Sequence, residues 1–125
     1  MSAPVRVTDV MTGDVVAITP DASVGVALRL MARSVVRHLP VISGARCVGV
    51  AHESDLLWHA WAHGTDTTPV ARLARAVGPV VHPLTELPKA AAAMVAGAAD
   101  VVLVADGGRV VGILTAADMV RGFAS

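Results

Sequence analysis

The sequence is poor in most of the residues that announce a chemistry. It has one cysteine, Cys47, which excludes a disulfide framework and a multi-cysteine metal site. It has three aromatic side chains, Trp58, Trp61 and Phe123, and no tyrosine. Charge is scarce at 16% of residues, and ten basic side chains balance ten acidic ones. Such a neutral surface argues against a protein that grips a nucleic-acid backbone. Long hydrophobic runs are missing as well. The longest stretches free of Asp, Glu, Lys and Arg are residues 56–65, 76–85 and 90–99, ten residues each. A helical membrane span needs about 20. No long apolar segment follows a basic start, so no signal peptide is expected and the setting is expected to be cytoplasmic. A nucleophile elbow, a P-loop and a Gly-x-Gly-x-x-Gly are all absent, so no enzyme is expected.

What the chain does have is apolar side chain, 54% of its 125 residues. That excludes disorder and sets the length of about one domain. It also repeats itself. Shifted by 63 positions, Val7 falls on Val70, Pro20 on Pro83, Ala27 on Ala90 and Met31 on Met94. Val41, Gly44, Arg46, Val48, Gly49 and Asp55 then fall on Val104, Gly107, Arg109, Val111, Gly112 and Asp118. These last six matches cluster, in the order apolar strand, Gly turn, apolar strand, helix-opening Asp.

Each half reads as β-α-β-β-α. Residues 15–19 and 79–82 are short apolar runs that predict brief strands. Ser23 predicts a helix cap, with Val24, Ala27, Leu28 and Met31 at i, i+3, i+4, i+7 behind it. Leu87, Ala90, Ala91 and Met94 repeat that stripe from about Glu86, with Pro88 in the first turn and Gly97 at the end. Strands are predicted over 39–42 and 101–105. Hairpin turns follow at Ser43-Gly44-Ala45 and Asp106-Gly107-Gly108, with return strands at 47–51 and 110–114. A second helix closes each half, about 54–62 and 116–123. Residues 63–69 are rich in turn formers and predict a linker. The expected domains are therefore 7–62 and 70–123. A half of this size is marginal alone, so the two should pack together.

Gly112-Ile113-Leu114-Thr115-Ala116-Ala117-Asp118 is the best candidate for chemistry. A strand runs into a helix N-terminus, whose free N–H groups and positive dipole end suit an anion. A bare helix cap, Thr-x-x-Asp, explains the same residues. Taken together, the repeat, the Gly turns, the Thr-x-x-Asp, the opening Val7-Thr8-Asp9-Val10-Met11 and the step Leu39-Pro40-Val41 resemble the CBS domain. The two copies resemble a CBS pair, or Bateman module, over about residues 7–123. The resemblance implies an α+β fold with α/β-type layers, in which two copies pack with pseudo-two-fold symmetry. It implies a regulatory module, associating as a homodimer, that needs no cofactor and answers to an unknown regulated protein. Such modules take adenosine-containing ligands (AMP, ADP, ATP or S-adenosylmethionine) in clefts between the copies. Carried over, the main cleft would use Ile113, Thr115 and Asp118 with Asp14, Val16, Val36 and Arg37. Asp118 would hold the ribose hydroxyls, Thr115 and the helix end the phosphate, and Arg37 would pair with phosphate.

The equivalent second cleft would use Val50, His52, Asp55 and Asp100. It departs from the pattern, because His52 replaces the hydroxyl residue and Asp100 stands where Arg37 stands in the first. With Glu53 adding further negative charge, this cleft is expected to bind phosphate weakly or not at all. His59 and His63 share one helix face, and with His52 they raise a metal-responsive reading, disfavoured for want of further ligands. Trp58 and Trp61, at i and i+3, either fill the core or mark a contact surface of a ligand-free interaction module. Met31 and Met94 are expected in the core, and Cys47 as a small buried hydrophobe.

Overall fold

The computed structural model describes residues 4–64 and 67–124, so Thr65 and Asp66 of the expected linker lie outside the described residues. The halves fold as the repeat predicts, into mixed helix and strand with small sheets. In the first, α1 (Val7–Val10) is a single turn and α2 is Val24–Ser34. The Ser23 hydroxyl caps α2 by accepting the Val26 N–H at 3.2 Å. The hairpin β1 (His38–Ser43) and β2 (Arg46–His52) follows, then α3 (Glu53–His63). In the second half, β3 is Val80–Val81, α4 Leu87–Ala96, β4 Val101–Asp106, β5 Arg109–Thr115 and α5 Ala116–Ala124. None of the described helices is long and apolar enough to cross a membrane.

The first predicted strand is the least realised. At residues 15–19 only Ile18 pairs, in a parallel bridge to Val41, with its N–H on Pro40 O and its carbonyl on Ile42 N–H. Pro40 is the reason. The next bond along the ladder would need an N–H at that position, and proline has none. Leu103 occupies the matching position in the second half. It donates to Pro79 O at 3.3 Å, and there β3 pairs with β4 at both of its residues.

The hairpins share a defect as well as a register. Val41 faces Gly49 and Ile42 faces Cys47, which leaves Val48 as the extra residue of a bulge. Val104 and Ala105 face Gly112 and Val110, so Val111 is its counterpart. Cys47 is half-buried rather than buried, because the first residues of β2 run past the core toward the turn. Its thiol donates to Gly49 O at 3.2 Å.

The chain divides into two units that do not follow its order. One is Val16–Val77, and the other joins the residues up to Val15 with those from Gly78 onward. The segment before each repeat is thus built into the unit of the other. Val7 and Thr8 donate to Thr85 O and Pro83 O, and Val70 and Ala71, the residues 63 positions further on, donate to Ala22 O and Pro20 O, the residues 63 positions earlier. Thr12 exchanges two backbone hydrogen bonds with Ile113, at 2.9 and 3.0 Å, and Arg75 exchanges two with Val50, both at 2.9 Å.

Each unit has its own core of matched positions. Val24, Ala27, Met31, Leu39, Val41, Ala51 and Val70 pack in one. Leu87, Ala90, Met94, Val102, Val104, Leu114 and Val7 take the same places in the other. Both methionines are therefore core residues. Trp58 and Trp61 are 76% and 87% exposed, which removes the core-filling reading for them.

The crossing of segments explains two of the repeated glycines. A methyl group at Gly112 would lie 3.1 Å from Thr12 O, and one at Gly49 would lie 3.0 Å from Arg75 O. Gly49→Ala and Gly112→Ala should each destabilise the protein by about 1–3 kcal/mol in urea unfolding. Gly13→Ala, with open space around it, should change stability by less than about 0.5 kcal/mol. Leu114→Ala, at a fully buried position, should cost about 2–5 kcal/mol in the same measurement.

Candidate ligand-binding site

At the end of β5 the chain turns directly into α5, and the turn is closed by its own side chains. The Thr115 N–H donates to Asp118 Oδ2 at 2.8 Å, and the Asp118 N–H donates to Thr115 Oγ1 at 3.3 Å. This is a reciprocal cap. It holds Asp118 at 3% exposure, while its other oxygen, Oδ1, is ion-paired with Arg121 one turn along the helix. The Thr115 hydroxyl accepts in this cap, so its own O–H remains a donor for an anion. Asp118 supplies charge and acceptor oxygens beside it. A hydroxyl donor suits a phosphate oxygen, and carboxylate acceptors suit a diol.

Asp14 lies two residues past the Thr12–Ile113 exchange and is exposed, and Ile113 is nearly buried. Both belong with Thr115 and Asp118 to the discontinuous unit, as does exposed Asp100, whose carbonyl accepts the Ala116 N–H at 3.3 Å. Val16, Val36 and Arg37 belong to the Val16–Val77 unit. There Arg37 O accepts the Glu53 N–H at 2.9 Å. The Arg37 side chain is 84% exposed and 4.0 Å from the Glu53 carboxylate, a surface pair of little energetic weight.

The matching turn at β2 and α3 is built differently. His52 takes the cap position, is 5% exposed, and makes no side-chain cap to the helix. Its ring stands edge-on to His38 with centroids 4.8 Å apart. Val50 is buried. Asp55 is gripped by Arg75, Nε on Oδ2 at 2.8 Å and Nη2 on Oδ1 at 3.1 Å. That hydrogen bonding, aided by the charges of Arg75 and His52 and opposed by burial, holds the Asp55 carboxyl below the usual carboxylate range.

Sequence reasoning missed both arginines. Arg121 was open to discovery, since i and i+3 on a helix are neighbours. Arg75 lies twenty residues from Asp55, and only the fold joins them. The His59 and His63 rings lie side by side on α3, tilted at 47° to each other with centroids 5.0 Å apart. Among the described residues they belong to no group of three close ligands.

Comparison with known proteins places the chain. The CBS domain family matches twice, at residues 7–61 and 67–125. Among solved structures, the CBS-pair protein CBSX2 from Arabidopsis thaliana is 30% identical, with a TM-score of 0.81 over 98% of this chain and 96% of that one. CBSX2 solved in complex with AMP is also 30% identical, with a TM-score of 0.77 over 95% and 96% of the two chains. The CBS domain pair of protein MJ0100, solved with 5-methylthioadenosine and S-adenosyl-L-methionine, shares the fold at 22% identity and a TM-score of 0.84, over 98% of each chain. No curated protein sequence is similar enough to count as a match. The doubled motif, the matched cores and these likenesses agree: the chain belongs to the CBS domain family and carries two copies of the domain in tandem.

Proposed function

We propose that this CBS pair is a sensor that binds an adenosine-containing ligand and passes a change in packing to a regulated protein. The turn Thr115-x-x-Asp118 carries the reading, because it combines an N-terminal helix dipole, a hydroxyl and a buried carboxylate. A 30% identical relative solved with AMP supports it. In this reading Asp118 takes the ribose hydroxyls and Thr115 the phosphate. Ile113, Asp14, Val16, Val36 and Arg37 complete the contacts. Val50, His52, Asp55 and Asp100 serve a second, weaker place. The work is binding rather than catalysis, and ligand acts by favouring one of two packings.

Trp58 and Trp61 support a second reading that is compatible with the first. Two exposed tryptophans on one chain are unusual at a solvated surface and are characteristic of contact surfaces. They fit a homodimer contact, and in a chain without ligand they would be the sole output.

Melting the protein with AMP, ADP, ATP or S-adenosylmethionine tests the leading reading. At about 100 times Kd the true ligand should add roughly 2.7 kcal/mol, a rise in Tm on the order of 5–10 °C. No shift with any of the four at millimolar concentration would remove it. Asp118→Asn keeps an acceptor for the Thr115 N–H but loses the charge, and should weaken binding by about 10- to 100-fold in calorimetry. Replacing Trp58 and Trp61 together by Ser should turn a dimer into a monomer in sedimentation. An unchanged sedimentation coefficient would remove the contact role.

A further inference from the structure

We infer that Arg75 is a built-in competitor for the ribose seat at Asp55, keeping the second place closed until the guanidinium is displaced. The inference rests on the proposed role of the paired aspartates as ribose acceptors.

Three observations carry it. The first is the shape of the contact. Arg75 offers two parallel N–H donors, and both oxygens of Asp55 accept them, at 2.8 and 3.1 Å. A ribose diol would present two O–H donors to the same two oxygens, so the two partners exclude each other. The second is anchorage. Arg75 is bound through its own backbone to Val50, five positions before Asp55, by two hydrogen bonds of 2.9 Å. Its guanidinium therefore starts each excursion within reach of the carboxylate.

The third is the contrast between the repeats. Position 12 makes the same backbone exchange with Ile113 that position 75 makes with Val50. Yet residue 12 is threonine, a short neutral side chain with no fork to offer Asp118. Asp118 is paired instead with Arg121, which sits on the same helix, is 64% exposed, and engages only Oδ1. Trp58 stands at the position that matches Arg121, so the helix beside Asp55 supplies no arginine there. Each aspartate thus has one arginine, but only Asp55 has both oxygens covered by it.

The lock is reversible. The Arg75 and Asp55 side chains are 53% and 32% exposed, and a partly exposed ion pair is modest in strength. Glu53 and Asp55 both lie in the first turn of α3. Their charge repels a phosphate, so the ligand that suits the opened seat is a nucleoside without one.

Adenosine and AMP, titrated into the full chain by calorimetry, test the inference. Arg75→Thr reproduces the sister position, and Arg75→Gln is a second variant that keeps side-chain length. Both should melt cooperatively and should add one adenosine site per chain, or raise adenosine affinity at the weaker site about tenfold or more. Adding Asp55→Asn to either variant should abolish the gain. If the parent binds and neither variant gains, Arg75 is no competitor, and the sensor reading survives. If either variant loses binding that the parent has, Arg75 is a ligand contact and the inference is overturned. If the parent binds neither compound but the variants bind adenosine, the competitor role holds, and the reading of Thr115 and Asp118 stands or falls with ADP, ATP and S-adenosylmethionine in the melting series. Silence from parent and variants alike overturns the competitor role, and the sensor reading is then decided by the melting series with ADP, ATP and S-adenosylmethionine.

Discussion

Four short backbone hydrogen bonds hold this architecture to its plan. Thr12 and Ile113 exchange two of them, and Arg75 and Val50 exchange the other two. Each pair ties the segment ahead of one repeat to the return strand of the other. Backbone groups removed from water need partners, so these exchanges complete an edge that would otherwise lie open. They also set a steric condition. Main chain crosses main chain so closely that Gly49 and Gly112 leave no room for a side chain. Much else follows from this. Val7 and Val70 enter the core of the opposite repeat's unit because the crossing brings them there. Arg75 reaches Asp55 for the same reason.

Much of this was legible in the sequence because it obeys a period. The offset of 63 positions paired the core residues correctly, from Ala27 and Ala90 to Met31 and Met94. Helix spacing and caps placed the start of α2 and both ends of α4 to within about a residue, since Ser23 and Gly97 are strong local punctuation. Local propensity failed where a distant residue decided the outcome. Residues 15–19 look like a strand, but the ladder depends on an N–H that Pro40 lacks. Cys47 looks like a core residue, but its end of β2 outruns the core.

The site was legible in part for a similar reason. Thr115 and Asp118 are three residues apart, so their relation is local and the chain alone declares it. What the sequence could not display was which distant arginine pairs with Asp55. An ion pair between Arg75 and Asp55 is a product of topology, and no spacing rule finds it. The two explanations of the Thr-x-x-Asp turn, cap and ligand seat, also prove to be compatible. The same hydrogen bonds that close α5 hold Asp118 buried in a fixed orientation, as the proposed ribose seat requires. Preorganisation of that kind lowers the entropic cost of binding.

The division of the chain into a continuous unit and a discontinuous one has a temporal side. As the polypeptide leaves the ribosome, Val16–Val77 is a continuous compact unit and can close while the rest is still being made. The other unit must wait. Thr12 is made before Val16–Val77, yet the strand that it pairs with arrives a hundred residues later. Closing so long a loop is entropically unfavourable and slow. The opening segment, with Val7 among its apolar side chains, must stay unpaired in the meantime. That leaves the segment around Val7 and Thr12 open to proteases and chaperones for longer during synthesis than Val16–Val77.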